Sequence, residues 1–477
     1  MVFSSAAFLF VFLPMVVCLA RIVPGLKAKN AVLALCSLLF YGFGEPSYVL
    51  LLLASVVINY TAGRLVVAFA SHKKLVAAVA VILNLGLLGV FKYTDFVLET
   101  LDLLPGVSIA PTGILLPAGI SFFTFQGLSY VIDVYRDESQ MSRNFIKLML
   151  YVAFFPQLIA GPIVKYHDVS LQIDDRTTTP ALTADGIRRF TIGLSKKLLL
   201  SNTVGRAADL AFTATASQLD ARSAWLGALC YMMQIYFDFS GYSDMAIGLG
   251  RIFGFQFLEN FDHPYVSRSL KEFWRRWHIS LSSWFRDYLY IPLGGNRKGK
   301  VRMAVNKIIV FFCTGLWHGA SWNFVLWGLW HGGVMLIEDA LPQKLRLHRV
   351  WGNLVTMFTV LMSFVLFRAD TLTGAGLIYS KMFTGFTFTP ESSGLFSSMF
   401  TVYLLVTLIL CVIFCVAPPS ELVSRLRGGT LVGRHAKVGD AVGGWEVFSY
   451  VSTFALLVLC MMNLAGSDFN PFIYFRF

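Results

Sequence analysis

Residues 308–337 read IIVFFCTGLWHGASWNFVLWGLWHGGVMLI, with no Asp, Glu, Lys or Arg among them. A helix needs about 20 apolar residues to cross a bilayer, so the stretch is long enough to hold a helix, a turn and another helix. Within it the pentapeptide GLWHG occurs twice and places His318 and His331 thirteen residues apart. On one continuous helix thirteen steps of about 100° leave the two imidazoles roughly 220° apart, facing different surroundings. Polar groups at membrane depth are expensive unless they find partners or line a cavity. Two histidines, Ser321, Asn323 and four tryptophans in one apolar run therefore suggest a cavity wall. His318 is its candidate catalytic group, and Trp317, Trp322 and Asn323 are its candidate substrate contacts. Gly315 and Gly319 form a GxxxG pair, for which the simplest role is close helix packing.

The remainder of the chain reads the same way. Of its 477 residues 56% are hydrophobic and 14% charged, against roughly 25% charged in an ordinary soluble domain. Stretches free of charged residues recur at 1–20, 46–63, 75–91, 103–132, 148–164, 350–367, 392–420 and 447–467, and mixed apolar segments at 30–44 and 223–237 complete the set. The expectation is a single all-α polytopic membrane domain over residues 1–477 with about eleven spans. Lys and Arg exceed Asp and Glu by 39 − 27 = 12, but they fall between the apolar runs. That pattern speaks for membrane topology and against nucleic-acid binding. Arg21, Lys27, Lys29, Arg64, Lys73 and Lys74 flank spans on one side, whereas Asp95, Glu99 and Asp102 lie on the other. The N-terminus is thus expected outside, with the basic segments 185–206 and 268–302 and the loop 421–444 in the cytoplasm. The seven cysteines lie almost entirely inside apolar runs and have no metal or redox spacing, so no metal site is expected. The N-terminal apolar run has no basic residue before it and is read as a first membrane helix, not a cleaved leader.

Three further segments carry candidate chemistry. In FWRRWHISLSSWFRDYLYIP (273–292), Trp274, Trp277, His278, Leu281, Phe285 and Tyr288 recur at three- and four-residue spacing, which predicts one continuous helix with an aromatic face. Such a helix is either an interfacial anchor with a hydrogen-bonded histidine or a half-inserted element that carries His278 inward. In YFDFSGYSDMAIGLGR (236–251), Asp238 and Asp244 stand in an apolar helix, and Gln234, Asp238 and Tyr242 share a face. Helix-to-helix pairing, with Asp238 and Gln234 behind the site, is the simpler reading. In FFPQLIAGPIVKYHD (154–168), prolines and a glycine break an apolar run as a re-entrant element would, and His167 beside Asp168 is expected in solvent. GGNRKGKV (294–301) has Val301 where a phosphate-binding loop needs Ser or Thr, and neither GxSxG nor HExxH occurs.

Taken together, WRRWHISLSSWFRDYLYIPLGGNRKG, YFDFSGYSDMAIGLG, FPQLIAGP, GLWHGASWNFVLWGLWHG, the opening MVFSS and the closing NPFIYF resemble the membrane-bound O-acyltransferases (MBOAT) from end to end. Within that family they are most similar to the bacterial branch that O-acetylates alginate. The resemblance implies a ring of tilted helices around a thin centre, where a cytosolic funnel meets an extracytoplasmic opening. It also implies a catalytic histidine at His318, a second polar position at His278, and a location in the bacterial inner or cell membrane. No bound cofactor is expected. The donor would be acetyl-CoA or another acyl thioester, with an acyl carrier protein in the related D-alanyl transfer proteins, and the acceptor an extracytoplasmic polysaccharide. Transfer would be completed by an extracytoplasmic partner of SGNH-hydrolase-like fold, because this chain has no such domain. A histidine, with an ordinary pKa near about 6.5, can take a proton from a hydroxyl that attacks a thioester. Arg275, Arg276, Arg286 and the loop 297–302 could hold the donor's phosphates. The competing reading is a polysaccharide or acyl transporter in which the buried Asp and His residues form a path. No internal repeat relates the two halves, and the unusual residues cluster between 234 and 331.

Overall fold

In the computed structural model, which describes residues 2–342, 348–416, 444–466 and Ile473, every regular element is a helix. The first part of the chain forms α1 (Leu13–Ile22), α2 (Leu26–Gly44), α3 (Val49–Ala68), α4 (Lys73–Leu88), α5 (Thr94–Asp102), α6 (Ile120–Arg136), α7 (Phe145–Ala153), α8 (Phe155–Leu158) and α9 (Tyr166–Asp174). Then come α10 (Pro180–Ser195), α11 (Asn202–Thr213), α12 (Ala221–Ile252), α13 (Leu270–Arg276) and α14 (Ile279–Phe285). The last part comprises α15 (Gly299–His318), α16 (Trp322–Ala340), α17 (Arg349–Arg368), α18 (Leu372–Thr384), α19 (Pro390–Met399), α20 (Val402–Val416) and α21 (Gly444–Gly466). Polar side chains start the helices where the chain leaves apolar surroundings. Asn144 accepts from the Ile146 and Lys147 N–H groups, Thr179 from Leu182, Asp220 from Ser223 and Ser269 from Glu272, each satisfying donors that a first turn leaves open.

Five described helices are long and apolar enough to cross a membrane: Leu26–Gly44, Pro46–Ala68, Ala70–Asp102, Arg349–Arg368 and Val447–Gly466. The pair α19 and α20, bent by 57°, makes a sixth if it is one span. The charge-free run 148–164 is cut into α7 and α8 after Ala153, and only the second half of 103–132 is helical. The run 223–237 lies inside the much longer α12. The polar loop expected at 421–444 falls outside the described residues, apart from the first residue of α21.

At 32 residues, or about 48 Å, α12 is the longest unbroken α-helix among the described residues, and it is buried nearly all round, with residues in both hydrophobic clusters. Its closest neighbour is α10. A Cβ placed on Gly193 would come within 2.4 Å of the Gly241 carbonyl oxygen, and one on Gly186 within 2.6 Å of the Gly248 carbonyl oxygen. The two helices therefore touch backbone to backbone. Along this seam Asp244 pairs with Arg189 at 2.6 Å and Lys196 at 2.7 Å, and Asp238 pairs with Lys197 at 2.6 Å. The aspartates thus hold helices together. Three cations of the segment 185–206, Arg189, Lys196 and Lys197, turn onto α12.

Candidate active site

The 308–337 run is two helices that cross where the two GLWHG copies meet. A Cβ on Gly315 would lie 2.3 Å from the Phe324 carbonyl oxygen, and one on Gly328 would lie 2.2 Å from that of Phe311 and 3.2 Å from Gly315 itself. The first glycine of each copy is thus the contact point of the other helix. The chain leaves helical geometry at Gly319 (φ −166°, ψ 154°), so His318 is the last residue of α15. Its ring, 5% exposed, lies 4.9 Å from Trp317, 5.0 Å from Trp327 and 5.3 Å from Phe367, centroid to centroid. A void of about 10 Å³ beside it is bounded by Phe239, Trp277, Phe364 and Ile473 among others, and that is room for about one water.

His278 stands 6.1 Å from His318, ring to ring, and is fully buried. It does not arrive on a continuous helix. The expected helix over 273–292 breaks at Trp277, which is extended, and at His278, whose φ of 45° and ψ of 53° are left-handed. A non-glycine residue held there costs on the order of 1–3 kcal/mol, and the contacts around it supply the constraint. Asn260 Oδ1 accepts from the Ser280 backbone N–H at 3.1 Å and hydroxyl at 2.8 Å, and its Nδ2 donates to Ser243. The oxygen so oriented lies 3.3 Å from His278 Nδ1. Nδ1 must therefore carry the proton, which leaves Nε2 as the basic nitrogen. Ser280 Oγ in turn accepts from the Ile163 N–H of the broken 154–168 segment, so that segment, too, supports the site.

His331, the counterpart in the second GLWHG, is also fully buried but is committed on both sides. Its Nδ1 accepts from Trp274 Nε1 at 3.3 Å, and its Nε2 lies 3.0 Å from the Ser363 hydroxyl, which itself donates to the Val360 carbonyl. Nε2 is hence a donor to Ser363, and neither nitrogen is open to a reacting proton.

The other candidates divide. Trp317 stands beside both histidines, 5.8 Å from His278 and 4.9 Å from His318, and packs on Phe122 and Phe125. Trp322 is 45% exposed and packs on Phe96 instead, and Asn323 Nδ2 donates to the Ala369 carbonyl at the end of α17. These two brace helix ends away from the imidazoles. Asp238 accepts from the backbone N–H of Ile473 at 2.9 Å besides pairing with Lys197, and it thereby fixes a residue of the site wall. Gln234 packs against Gly205 and its backbone carbonyl accepts from Ser201. Arg276 is paired with Glu272 and Asp262, and Arg286 with Asp287. Arg275 is exposed and has no ion pair among the described residues. His167, expected in solvent, is exposed there, and it bonds Asp133 Oδ2 at 2.9 Å, which raises its pKa above the ordinary histidine value. A slot of about 170 Å³ runs between α14 and α15 and is lined by Trp274, Ser282, Arg286, Lys307, Phe311 and Thr314 among others.

Asn260, Ser280 and Lys92 carry no sequence signal that reading by motif would pick up. Lys92 directly follows the apolar run 75–91 and looks like a flanking charge, yet it is buried against the carbonyl of Trp317.

The model of the MBOAT, membrane-bound O-acyltransferase family, matches residues 121–378, which include both site histidines. The chain is 37% identical to the probable alginate O-acetylase AlgI of Azotobacter vinelandii over the full length of both. It is 36% identical to the peptidoglycan O-acetyltransferase of Helicobacter pylori over 79% of this chain and 78% of that one. To the teichoic acid D-alanyltransferase of Bacillus subtilis it is 32% identical over 46% of this chain and 57% of that one. The chain belongs to the membrane-bound O-acyltransferase family and is an O-acyltransferase.

Proposed function

We propose that the protein takes an acetyl or other short acyl group from a cytosolic thioester and passes it towards an extracytoplasmic polysaccharide. The observation that carries this reading is the pair of buried imidazoles 6.1 Å apart, one ending a helix and the other held with Nε2 as its base. His318 acts as the general base. It takes the proton as an acceptor hydroxyl forms its bond to the thioester carbonyl carbon, the carbon–sulfur bond breaks, and the proton leaves on the thiol. His278 orients the donor carbonyl or shares that proton. The slot beside α14 supports a route for the donor arm: Arg286 and Lys307 line it, and Thr314, also lining it, is one turn before His318 on the same face of α15. The exposed Arg275 and the loop 297–302 are the cations best placed for donor phosphates, since Arg276 and Arg286 are neutralised locally.

The named relatives act on alginate, peptidoglycan and teichoic acid, which supports an envelope or exopolysaccharide acceptor, an inner- or cell-membrane location and a partner on the outer side. In this reading the described helices belong to a ring of about eleven spans around a funnel, the N-terminus lies outside and the 297–302 loop inside. Purified protein should consume acetyl thioester in the presence of an extracytoplasmic SGNH-type partner and glycan, and His318→Ala protein should not. Full consumption by the His318→Ala protein would remove the assignment, and a reporter that placed the 297–302 loop outside would remove the cytosolic donor.

A further inference from the structure

The membrane helix that begins at Lys73 does not run regularly into α5. Residues Gly89–Tyr93 form a π-turn, the kind of bulge that reorients side chains and is frequent at functional sites. The turn delivers Lys92 inward, to 8% exposure. Its ammonium donates to the Trp317 carbonyl at 2.5 Å and to Ser121 Oγ at 3.0 Å, and it has no carboxylate partner among the described residues. The neighbouring Tyr93 hydroxyl donates to the Leu316 carbonyl at 2.8 Å.

Both carbonyls belong to the last turn of α15. The Gly315 carbonyl takes the Gly319 N–H, but the chain then leaves the helix, so Leu316 and Trp317 have no helical N–H to receive. A cation and a hydroxyl at this negative end of the helix dipole are favourable. They also fix the backbone from which His318 projects. Ser121 lies in the first turn of α6, whose Phe122 and Phe125 pack on Trp317, so Lys92 ties its own turn and α6 to the residue before the histidine. Burying an ammonium with no anion is costly in an apolar setting, and a core that needed only a filled volume would be better served by Leu or Met.

We propose that Lys92 and Tyr93 form a clamp that positions His318, acting through the last turn of α15. The clamp rests on the reading of His318 as the base. The test is acyl transfer by full-length protein in membranes with its partner, in Lys92→Met, Lys92→Arg, Tyr93→Phe, His318→Ala and the double variant Lys92→Met/His318→Ala. Folded protein is counted by fluorescence-detected gel filtration. Expected results are a kcat of Lys92→Met lowered about 10- to 100-fold with the donor KM little changed, partial recovery in Lys92→Arg, and a loss of about threefold or more in Tyr93→Phe. The double variant should be no slower than His318→Ala, because the clamp acts only through that side chain. Wild-type kcat in Lys92→Met, or a further loss in the double variant, would overturn the clamp. If Lys92→Met does not fold, Tyr93→Phe carries the test, and wild-type kcat there overturns it. An active His318→Ala protein would instead point to the base assignment as the error.

Discussion

The two GLWHG copies have the same five residues and opposite fates. In the first, the helix stops at the histidine, so the imidazole stands at an end among Trp317, Trp327, Phe367 and His278. In the second, the helix continues to Ala340, and the histidine is inside a shaft where Trp274 and Ser363 claim both nitrogens. Trp327 touches both rings, at 5.0 Å and 4.9 Å. On the proposed assignment, what separates the base from the structural histidine is where the helix ends, not the identity of its neighbours in sequence.

The sharpest way to break this comparison is to remove each imidazole. His318→Ala should lower acyl transfer by roughly 10² to 10⁴, with expression and partner binding kept. His331→Ala should instead leave the rate of the folded fraction near wild type while removing about 1–3 kcal/mol of stability, since it strands the Trp274 N–H. Equal rate losses in both would show that the copies are equivalent. Next in size is the crossing itself. Gly328→Ala or Gly315→Ala forces a methyl against a carbonyl oxygen, and overpacking of this kind costs about 1–3 kcal/mol. Either variant should reduce folded yield in a thermal-shift assay on solubilised protein, and unchanged melting would mean that the helices do not meet there.

A smaller effect is expected where His278 is oriented. Asn260→Ala, which frees the Nδ1 side of the ring, should lower kcat about tenfold, and Asn260→Asp, which keeps an acceptor, should do less harm. An Asn260→Ala enzyme as fast as wild type would leave His318 to act alone. The least effect belongs to His167, a histidine at the surface end of the fold and a useful contrast with the buried pair. Its pKa is raised in the folded state by the Asp133 hydrogen bond, so the stability it adds is complete below about pH 6.5 and is lost as pH rises through the raised value. Melting temperature should therefore fall slightly across that window, and less so in His167→Gln. The effect is small because the side chain is half-exposed and screened. A steeper fall in the variant would contradict the sign.

Much of this was legible in the sequence because it depends on composition and on long strings. Charge-free runs mark an all-helical membrane protein, the thirty-residue run has to turn once, and Asp238 and Asp244 need cations beside them. His278 marks the limit. The spacing of Trp274, Trp277, Leu281 and Phe285 suits an unbroken helix, and a left-handed histidine leaves no trace of the kind that glycine or proline leaves. The placement of Trp322 is hidden for a related reason: a residue after a helix break has no face that periodicity can assign, and it turns outward. Lys92 was hidden because a π-turn adds one residue to a helical turn, and period counting then puts the side chain on the wrong side.

The seam between α10 and α12 also bears on how the chain enters the membrane. On its own, α12 is a poor passenger for an insertion machine, with Asp238 and Asp244 in the middle of an apolar shaft. Arg189, Lys196 and Lys197 precede it on the ribosome and are already made when those aspartates emerge. With glycines permitting backbone contact and the charges cancelling across it, the two helices can be delivered to lipid as a closed hairpin. Delivered that way, α12 would owe its place to the order of synthesis as well as to hydropathy.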